Sequence, residues 1–332
     1  MQIRQIRILG TGKYLPSKAV SSEELDKKLK LRPGWSQKKS GVKIRHYVDS
    51  ETASEMGKYA IEAAMKNAGL QPKDIDCIVC TSGTYEQPIP CTAALIHKKL
   101  AWTGHNIPAF DINSTCLSFV TAIDTISYMI HAGRYKNVIL VAAEISSKGL
   151  NWGQKESCVL FGDGAAAVVI GQNEGFQDSK ILASLMNTYS EGAHLTEIRG
   201  GGTSLTASEY SIEHESDYKF DMDGSAIFKM ASKEINGFVD ILLKSSGCDM
   251  GQIKLVIPHQ ASAMAMKILR QKLNIPEERF MNIIENHGNT IAASIPTALH
   301  EAIIQGRIER GDKVMLIGTS AGLSIGGIVF EY

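Results

Sequence analysis

The chain has 332 residues, 44% of them hydrophobic and 21% charged, with 35 basic and 35 acidic side chains. That length buries a large core and accommodates about two domains, and the composition is ordinary for a folded globular protein. The even charge balance excludes binding of nucleic acid or an anionic membrane through overall charge, so an anionic partner needs a local patch.

The first seven residues alternate apolar and polar or charged side chains like a strand and lack the apolar core of a signal peptide. The longest apolar run, near residues 138–145, is far short of a membrane span. These features predict a cytoplasmic protein without membrane contact. Gly10-Thr-Gly12 and Pro16 read as turn signals ahead of a helix start at Ser21-Ser-Glu-Glu. Between residues 27 and 45 eight Lys and Arg accompany one aromatic, Trp35. A solvated basic face is the default reading of such a run; the alternative is a phosphate site with Trp35 as a stacking platform for adenine.

Residues 54–68 form an amphipathic pattern closed by Gly69, and 75–80 is an apolar run that reads as a strand. Cys77-Ile-Val-Cys80 lies within that run and no second pair follows, so it reads as strand rather than metal site. Six scattered cysteines are too few for a disulfide framework at this length. After a loop over 81–90 come a helix over 92–100 and a strand over 107–112. Asn113 to Thr115 are good caps, which makes Cys116 the start of a helix that is apolar nearly all round to Met129. Unpaired N–H groups and the positive end of the helix dipole there would shift a thiol toward thiolate. The competing reading is a small buried core residue. A strand over 137–143 and the run 161–170 close this half.

The second half repeats the first. A helix over 230–246 ends in Gly247, and the strand over 253–257 lies 178 residues after its counterpart. A strand over 280–285 and a helix over 290–304 repeat the Cys116 strand and helix, placing Asn289 opposite Cys116 at an offset of 173. Residues 313–317 repeat 137–141 at an offset of 176. The class is therefore α/β, with two similar halves (1–172 and 173–332), each with a mixed, mainly parallel sheet and helices, related as a pseudo-twofold. Packed as a pseudo-dimer, the halves bring Cys116 and Asn289 to one site. Residues 186–225, with Gly200-Gly-Gly and many Ser and Thr, read as a long loop capping that site, the glycines being flexible loop rather than a phosphate cradle.

Five motifs now stand in order: Cys116 in its strand-to-helix turn, Phe161-Gly-Asp-Gly164, Pro258-His259-Gln260-Ala261, His287-Gly-Asn289-Thr290 and Gly322-Leu-Ser-Ile-Gly326. Together they resemble the β-ketoacyl-acyl carrier protein synthase III branch of the thiolase-like condensing enzymes over essentially the whole chain. The resemblance implies a thiolase-like fold and a Cys116, His259, Asn289 catalytic set. Cysteine suits the task because its thioester is as reactive as the substrate's. Neutral His259 and the Asn289 amide would stabilise the enolate left by decarboxylating a malonyl thioester. The N–H groups of Cys116 and Gly322 would form the oxyanion hole, and His287 would support the Asn289 loop.

The resemblance further implies acyl-coenzyme A as a substrate, with no cofactor and no metal. Trp35 would stack on its adenine, with Lys39 and Lys155 where the family more often has arginine. Ile89 would stand at the bottom of the acyl pocket, where the family tends to place a bulky aromatic, leaving room for chains longer than acetyl. Met264 replaces a common docking arginine, so Lys267, Arg270 and Lys272 are the expected contacts for an acidic acyl carrier protein that delivers malonyl. A homodimer is expected on the same ground. Two other readings share the fold: a specialised secondary-metabolism relative that joins two acyl groups or forms an ester, and a silent partner subunit. The complete Cys-His-Asn set argues against the silent subunit.

Overall fold

A computed structural model describes residues 2–173 and 179–332. Its centre is two sheets of matching design. In the first, the strands run in the order Ile6–Tyr14, Gly164–Gln172, Asn137–Glu144, Cys77–Cys80, Ala109–Asp111. The first two neighbouring pairs are antiparallel and the last two parallel. In the second, the order is Lys180–Thr188, Ser324–Glu331, Lys313–Ser320, Leu255–Pro258, again antiparallel twice and then parallel. A parallel bridge from Val256 to Phe280 stands where the fifth strand would be. Parallel pairing thus makes up two of four strand pairs in the first sheet and one of three in the second, with the bridge beside it, so both sheets are mixed. The expected strand over 280–285 shrinks to this bridge because Ile284–His287 turns into a short helix. The boundary expected at 172/173 falls between the two sheets, and residues 174–178 lie outside the described residues.

The helices packed on the sheets follow from local chemistry. Ala53–Ala68 is opened by a reciprocal capping box between Thr52 and Glu55 and closed by left-handed Gly69. Ser118–His131 and Ser294–Ile304 are buried on most of their surface and sit in the large core cluster that draws on both halves. This central layer accounts for their lack of a polar face.

Gly10 and Gly12 are not a turn. They lie inside the first strand, against the backbone of helix Ala53–Ala68. A Cβ on Gly12 would stand 2.4 Å from the Ala64 nitrogen, and one on Gly10 2.4 Å from the Ala64 carbonyl oxygen. The stretch after Thr188 is likewise more than a loop. Thr196–Glu197 pairs with Asp221–Met222, and Arg199 binds Glu197, Asp217 and Asp221. Gly200 is where the Tyr218 ring packs, so its missing side chain serves close approach. Among the described residues no helix is long and apolar enough to cross a membrane.

Gly12→Ala should lower the unfolding free energy by about 1–3 kcal/mol through overpacking against helix backbone. Urea denaturation measures this, and a variant within about 0.5 kcal/mol of wild type would contradict the close-packing account.

Candidate active site

The C-terminal ends of the parallel strands converge on two tight turns of the same construction. In the first half, the Asn113 side-chain oxygen accepts the Thr115 N–H at 2.8 Å, and Thr115 takes a positive φ of 50°. In the second, the Asn289 side-chain oxygen accepts the Ile291 N–H at 2.9 Å, and Ile291 has a φ of 49°. Such a conformation is costly for a non-glycine residue and needs this kind of local support. The correspondence fixes the repeat at an offset of 176, so Asn289 matches Asn113 and Cys116 matches Ala292. The expected pairing of Asn289 with Cys116 at 173 is corrected accordingly; periodicity alone could not resolve a turn of three residues.

The Thr115–Leu117 turn packs against the Ile291–Ala293 turn and against strand Lys313–Ser320. His259 follows strand Leu255–Pro258, with its N–H on the Ile317 carbonyl at 2.8 Å. Gly318 lets it approach: a Cβ there would meet both His259 and Leu117. The Asn289 amide nitrogen lies 3.4 Å from the Ala261 carbonyl oxygen, two residues beyond the histidine. Cys116, His259 and Asn289 are thereby drawn to one place. Asn289 is fixed on its other side by a parallel bridge to Phe161, donating its N–H to the Leu160 carbonyl while its own carbonyl accepts the Gly162 N–H. A Cβ on Gly162 would stand 2.3 Å from the His287 carbonyl oxygen, which explains the glycine before Asp163. Asp163 is buried and accepts from Val48 N–H, Ser147 N–H and both Ser146 and Ser147 hydroxyls. Burial pushes its carboxyl up while those bonds oppose the shift.

The polarity of the site follows from these bonds. The Asn289 side-chain oxygen is committed to Ile291, so its amide serves as a donor, with one N–H directed at the Ala261 carbonyl. His259 is 6% exposed, and burial drives its pKa down to about 4. Its Nδ1 lies 2.7 Å from the Ser294 hydroxyl, which also accepts the Gln260 N–H. With no other acceptor for the hydroxyl proton among the described residues, the hydrogen-bond network assigns that proton to Nδ1 and the imidazole proton to Nε2. His259 and Asn289 thus present neutral N–H donors. Gln260 ties this strand end to the Asn289 loop by accepting the Ile283 N–H and donating to the Pro258 and Met281 carbonyls.

Cys116 departs from expectation. Helix Ser118–His131 begins after it, and the half-buried Cys116 sits in the preceding 3-10 turn. Burial, with Glu144 next in weight, pushes its thiol up to about 12, while its own N–H and that of Ala321 act in the opposite direction. The resting group is a thiol because desolvation outweighs the turn's dipole. The second N–H at the sulfur belongs to Ala321, so the expected donor Gly322 is corrected by one position. Gly322, with a φ of 124°, makes the left-handed bend that follows it.

Other expected residues are placed as follows. Trp35 opens helix Trp35–Ser40, and Lys39 in its last turn pairs with Glu156 at 2.7 Å. Glu156 adjoins Lys155 in the short helix Lys155–Cys158, so this ion pair joins the two helices that carry the residues expected for coenzyme A. Sequence reading missed Trp152 here, with Lys28 Nζ 3.3 Å above its ring; an isolated tryptophan in a polar turn was the available signal. On helix Ala263–Lys272, Lys267 is exposed, Arg270 pairs with Glu277 and Lys272 donates to the Ser232 carbonyl. Gly41, which ends the Trp35 helix, lies against Ala263, so these two faces adjoin. Ile89, expected at the acyl pocket, is 84% exposed on its own chain. The loop reaching it passes the Cys116 turn at Gly83 and then runs outward to solvent.

His287 donates from Nδ1 to the Ile283 carbonyl, and its Nε2 faces Lys13, which pairs with buried Glu301. Burial, then Lys13, lowers its pKa to about 4. Sequence reading also missed Ser294, which carried no signal, and Glu144, whose signal was an acid closing a wholly apolar run. Among the described residues no cluster of three or more His, Cys, Asp or Glu side chains could hold a metal ion.

Comparison with known proteins agrees with this geometry. Residues 110–190 match the family described as 3-Oxoacyl-[acyl-carrier-protein (ACP)] synthase III, and residues 243–332 match its C-terminal counterpart. The β-ketoacyl-[acyl-carrier-protein] synthase III of Aquifex aeolicus is 35% identical over 326 residues, covering 98% of this chain and 99% of that protein. The crystal structure of the 3-oxoacyl-[acyl-carrier-protein] synthase III from Aquifex aeolicus VF5 superposes with a TM-score of 0.88 at 33% identity, covering 98% of this chain and 100% of the other. That of the Pseudomonas aeruginosa PAO1 synthase III gives 0.88 at 27% identity, with 99% and 98% covered. The chain belongs to the β-ketoacyl-acyl carrier protein synthase III family and has its fold.

The two buried imidazoles make a pH prediction. Their pKa values are lowered in the fold, so the unfolded chain binds their protons first, and stability falls as pH drops from about 6.5 toward 4. At pH 5 the penalty is about 2 kcal/mol for each histidine. His259→Gln should therefore lose less stability than wild type between pH 7 and pH 5, by about 2 kcal/mol. Parallel denaturation curves at the two pH values would show the His259 contribution missing.

Proposed function

We infer that this member of the β-ketoacyl-acyl carrier protein synthase III family joins an acyl-coenzyme A starter to malonyl-acyl carrier protein by decarboxylative Claisen condensation. The observation that carries the residue assignment is the pair of neutral donors, His259 and Asn289, fixed beside the Cys116 turn. Cys116 takes the acyl group as a thioester, and the N–H groups of Cys116 and Ala321 hold the oxyanion of that step. Decarboxylation of the extender then builds charge on its thioester oxygen. His259 Nε2–H and the Asn289 amide stabilise this enolate, and a histidine that stays neutral does not hand it the proton that would end the reaction. The carbanion attacks the acyl group and releases Cys116.

Coenzyme A enters along the Trp35, Lys39 and Lys155 face, with Trp152 as a second ring surface. The acyl carrier protein docks beside it on helix Ala263–Lys272, where Lys267 is exposed with no ion pair among the described residues and Arg270 and Lys272 exchange their present contacts for it. The protein works in the cytoplasm as a homodimer. The dimer is supported by Ile89 and Tyr85, 84% and 56% exposed on the loop that leaves the Cys116 turn, a position from which a second copy would cover them.

Cys116→Ala should abolish acyl uptake from acyl-coenzyme A. His259→Ala or Asn289→Ala should still take up the acyl group but condense it roughly a hundredfold more slowly, each donor being worth about 3 kcal/mol. Rapid-quench acylation beside steady-state condensation reads the split; equal loss of acylation in all three folded variants would instead make His259 the base for Cys116. Ile89→Asp should shift the protein from dimer to monomer by light scattering, and an unchanged mass would remove this loop from the interface.

A further inference from the structure

Lys13 stands near the end of strand Ile6–Tyr14 in the first half and reaches into the second. Its ammonium pairs with Glu301 on helix Ser294–Ile304 and lies 3.3 Å from His287 Nε2. His287 and Glu301 are both buried. His287 Nδ1 lies 3.0 Å from the Ile283 carbonyl oxygen, so that nitrogen carries the proton and Nε2 presents a lone pair. The Glu301 carboxylate stands 3.9 Å from the same Nε2. A carboxylate and an imidazole lone pair are both acceptors, and buried acceptors that face each other need a donor between them. Lys13 is that donor, and no other reaches His287 Nε2 among the described residues. His46 and His300, the other imidazoles of this region, turn to the Pro16 carbonyl and the Thr11 hydroxyl, and the second Glu301 oxygen accepts from Gln305.

The bridge bears on the centre through a short piece of backbone. His287 ends the helix Ile284–His287, and Gly288, with a φ of 68°, is the one residue between it and Asn289. A glycine sets no direction by itself, so the aim of Asn289 depends on how the chain is held to either side. On the far side Asn289 is pinned to Leu160 and Gly162. On the near side His287 is held by Ile283 and by Lys13. The end of the Lys13 strand lies next to this loop: a Cβ on Gly164 would stand 3.5 Å from both the Tyr14 carbonyl oxygen and Thr290 Cγ2.

We propose that Lys13 is a positioning residue for Asn289: as the cation between the Glu301 carboxylate and His287 Nε2, it fixes the His287-Gly288 turn that aims the Asn289 amide.

This role rests on Asn289 being an enolate donor of the condensation, as inferred above. Burial, then Lys13, keeps His287 neutral, which is the form able to accept from an ammonium. The cation comes from one half and both acceptors from the other, so the bridge also ties the halves together behind the Asn289 loop. None of its three members bonds to the Cys116 turn among the described residues. Its loss should therefore show in condensation and spare acylation.

The test is a double-mutant cycle on the full-length protein, with rapid-quench acyl uptake measured beside steady-state condensation. His287→Asn keeps an amide donor for Ile283 and leaves the Lys13 and Glu301 pair intact, removing only the Nε2 acceptor. It should lower kcat for condensation about tenfold through misplacement of the donor. Acyl uptake should be unchanged, and KM for malonyl-acyl carrier protein should stay within about twofold, since ground-state binding is not what is lost. Lys13→Met should give the same split, and Lys13→Met/His287→Asn should fall no further than either alone, because one contact is missing in all three. If Lys13→Met fails to fold with Glu301 left unpaired, Lys13→Met/Glu301→Gln, which removes both charges, takes its place in the cycle. A wild-type kcat in folded His287→Asn, additive losses, or acyl uptake lost along with condensation would overturn the proposal. Nitrogen-15 NMR of wild type gives a second readout: His287, identified by the signals missing in His287→Asn, should carry its proton on Nδ1 at pH 7. A proton on Nε2 would overturn the bridge. Asn289→Ala condensing at the wild-type rate would sink the donor assignment instead, whereas a loss in Asn289→Ala with none in His287→Asn would sink the role of Lys13 alone.

Discussion

The site depends on two non-glycine residues, Thr115 and Ile291, held in left-handed backbone conformation by an asparagine two positions earlier. A strained turn of this kind persists only where its surroundings over-determine it. Here each turn packs on the other, and the Asn289 turn is pinned to Leu160 and Gly162 on its outer side. The Phe161-Gly-Asp-Gly segment is thus scaffold for Asn289 rather than chemistry. Its glycine gives up a side chain so that two backbones can meet, and its aspartate gathers donors from Val48, Ser146 and Ser147 to hold the crossing in place.

Burial then decides every protonation state at the centre. The same desolvation that keeps His259 neutral also keeps Cys116 a thiol. The first effect serves enolate stabilisation directly. The second favours the thiol over the thiolate, with the Cys116 and Ala321 N–H groups opposing that shift. A pocket that is dry enough to make two neutral donors count is too dry for a thiolate at rest.

Much of this was legible in the residues. The helix over 92–100 matched its predicted bounds, and the repeat of strand and helix was visible because each apolar run had a partner of similar length and spacing. The motifs marked Cys116, His259 and Asn289. What failed was finer than an apolar pattern can carry. The three-residue slip between Asn289 and Cys116, and the one-residue slip between Gly322 and Ala321, concern turns in which backbone angle rather than hydrophobicity sets the register. Gly10 and Gly12 looked like a turn because a helix lying across a strand leaves no mark in the strand's own sequence. Ile89 pointed out of its own chain, and Glu144 and Ser294 became visible only when their partners, distant in sequence, were brought beside them.

Because the halves meet at two copies of one bend, their equivalent positions are free to diverge. Where one copy carries a thiol, the other carries Ala292, a methyl group fully buried behind the facing turn. Two identical halves related by true symmetry would be forced to place the same side chain twice around the axis, crowding sulfur against sulfur. Joining them in one polypeptide lifts that obligation, so a single centre can hold an electrophile trap on one side and an amide hydrogen-bond donor on the other without either backbone having to change shape.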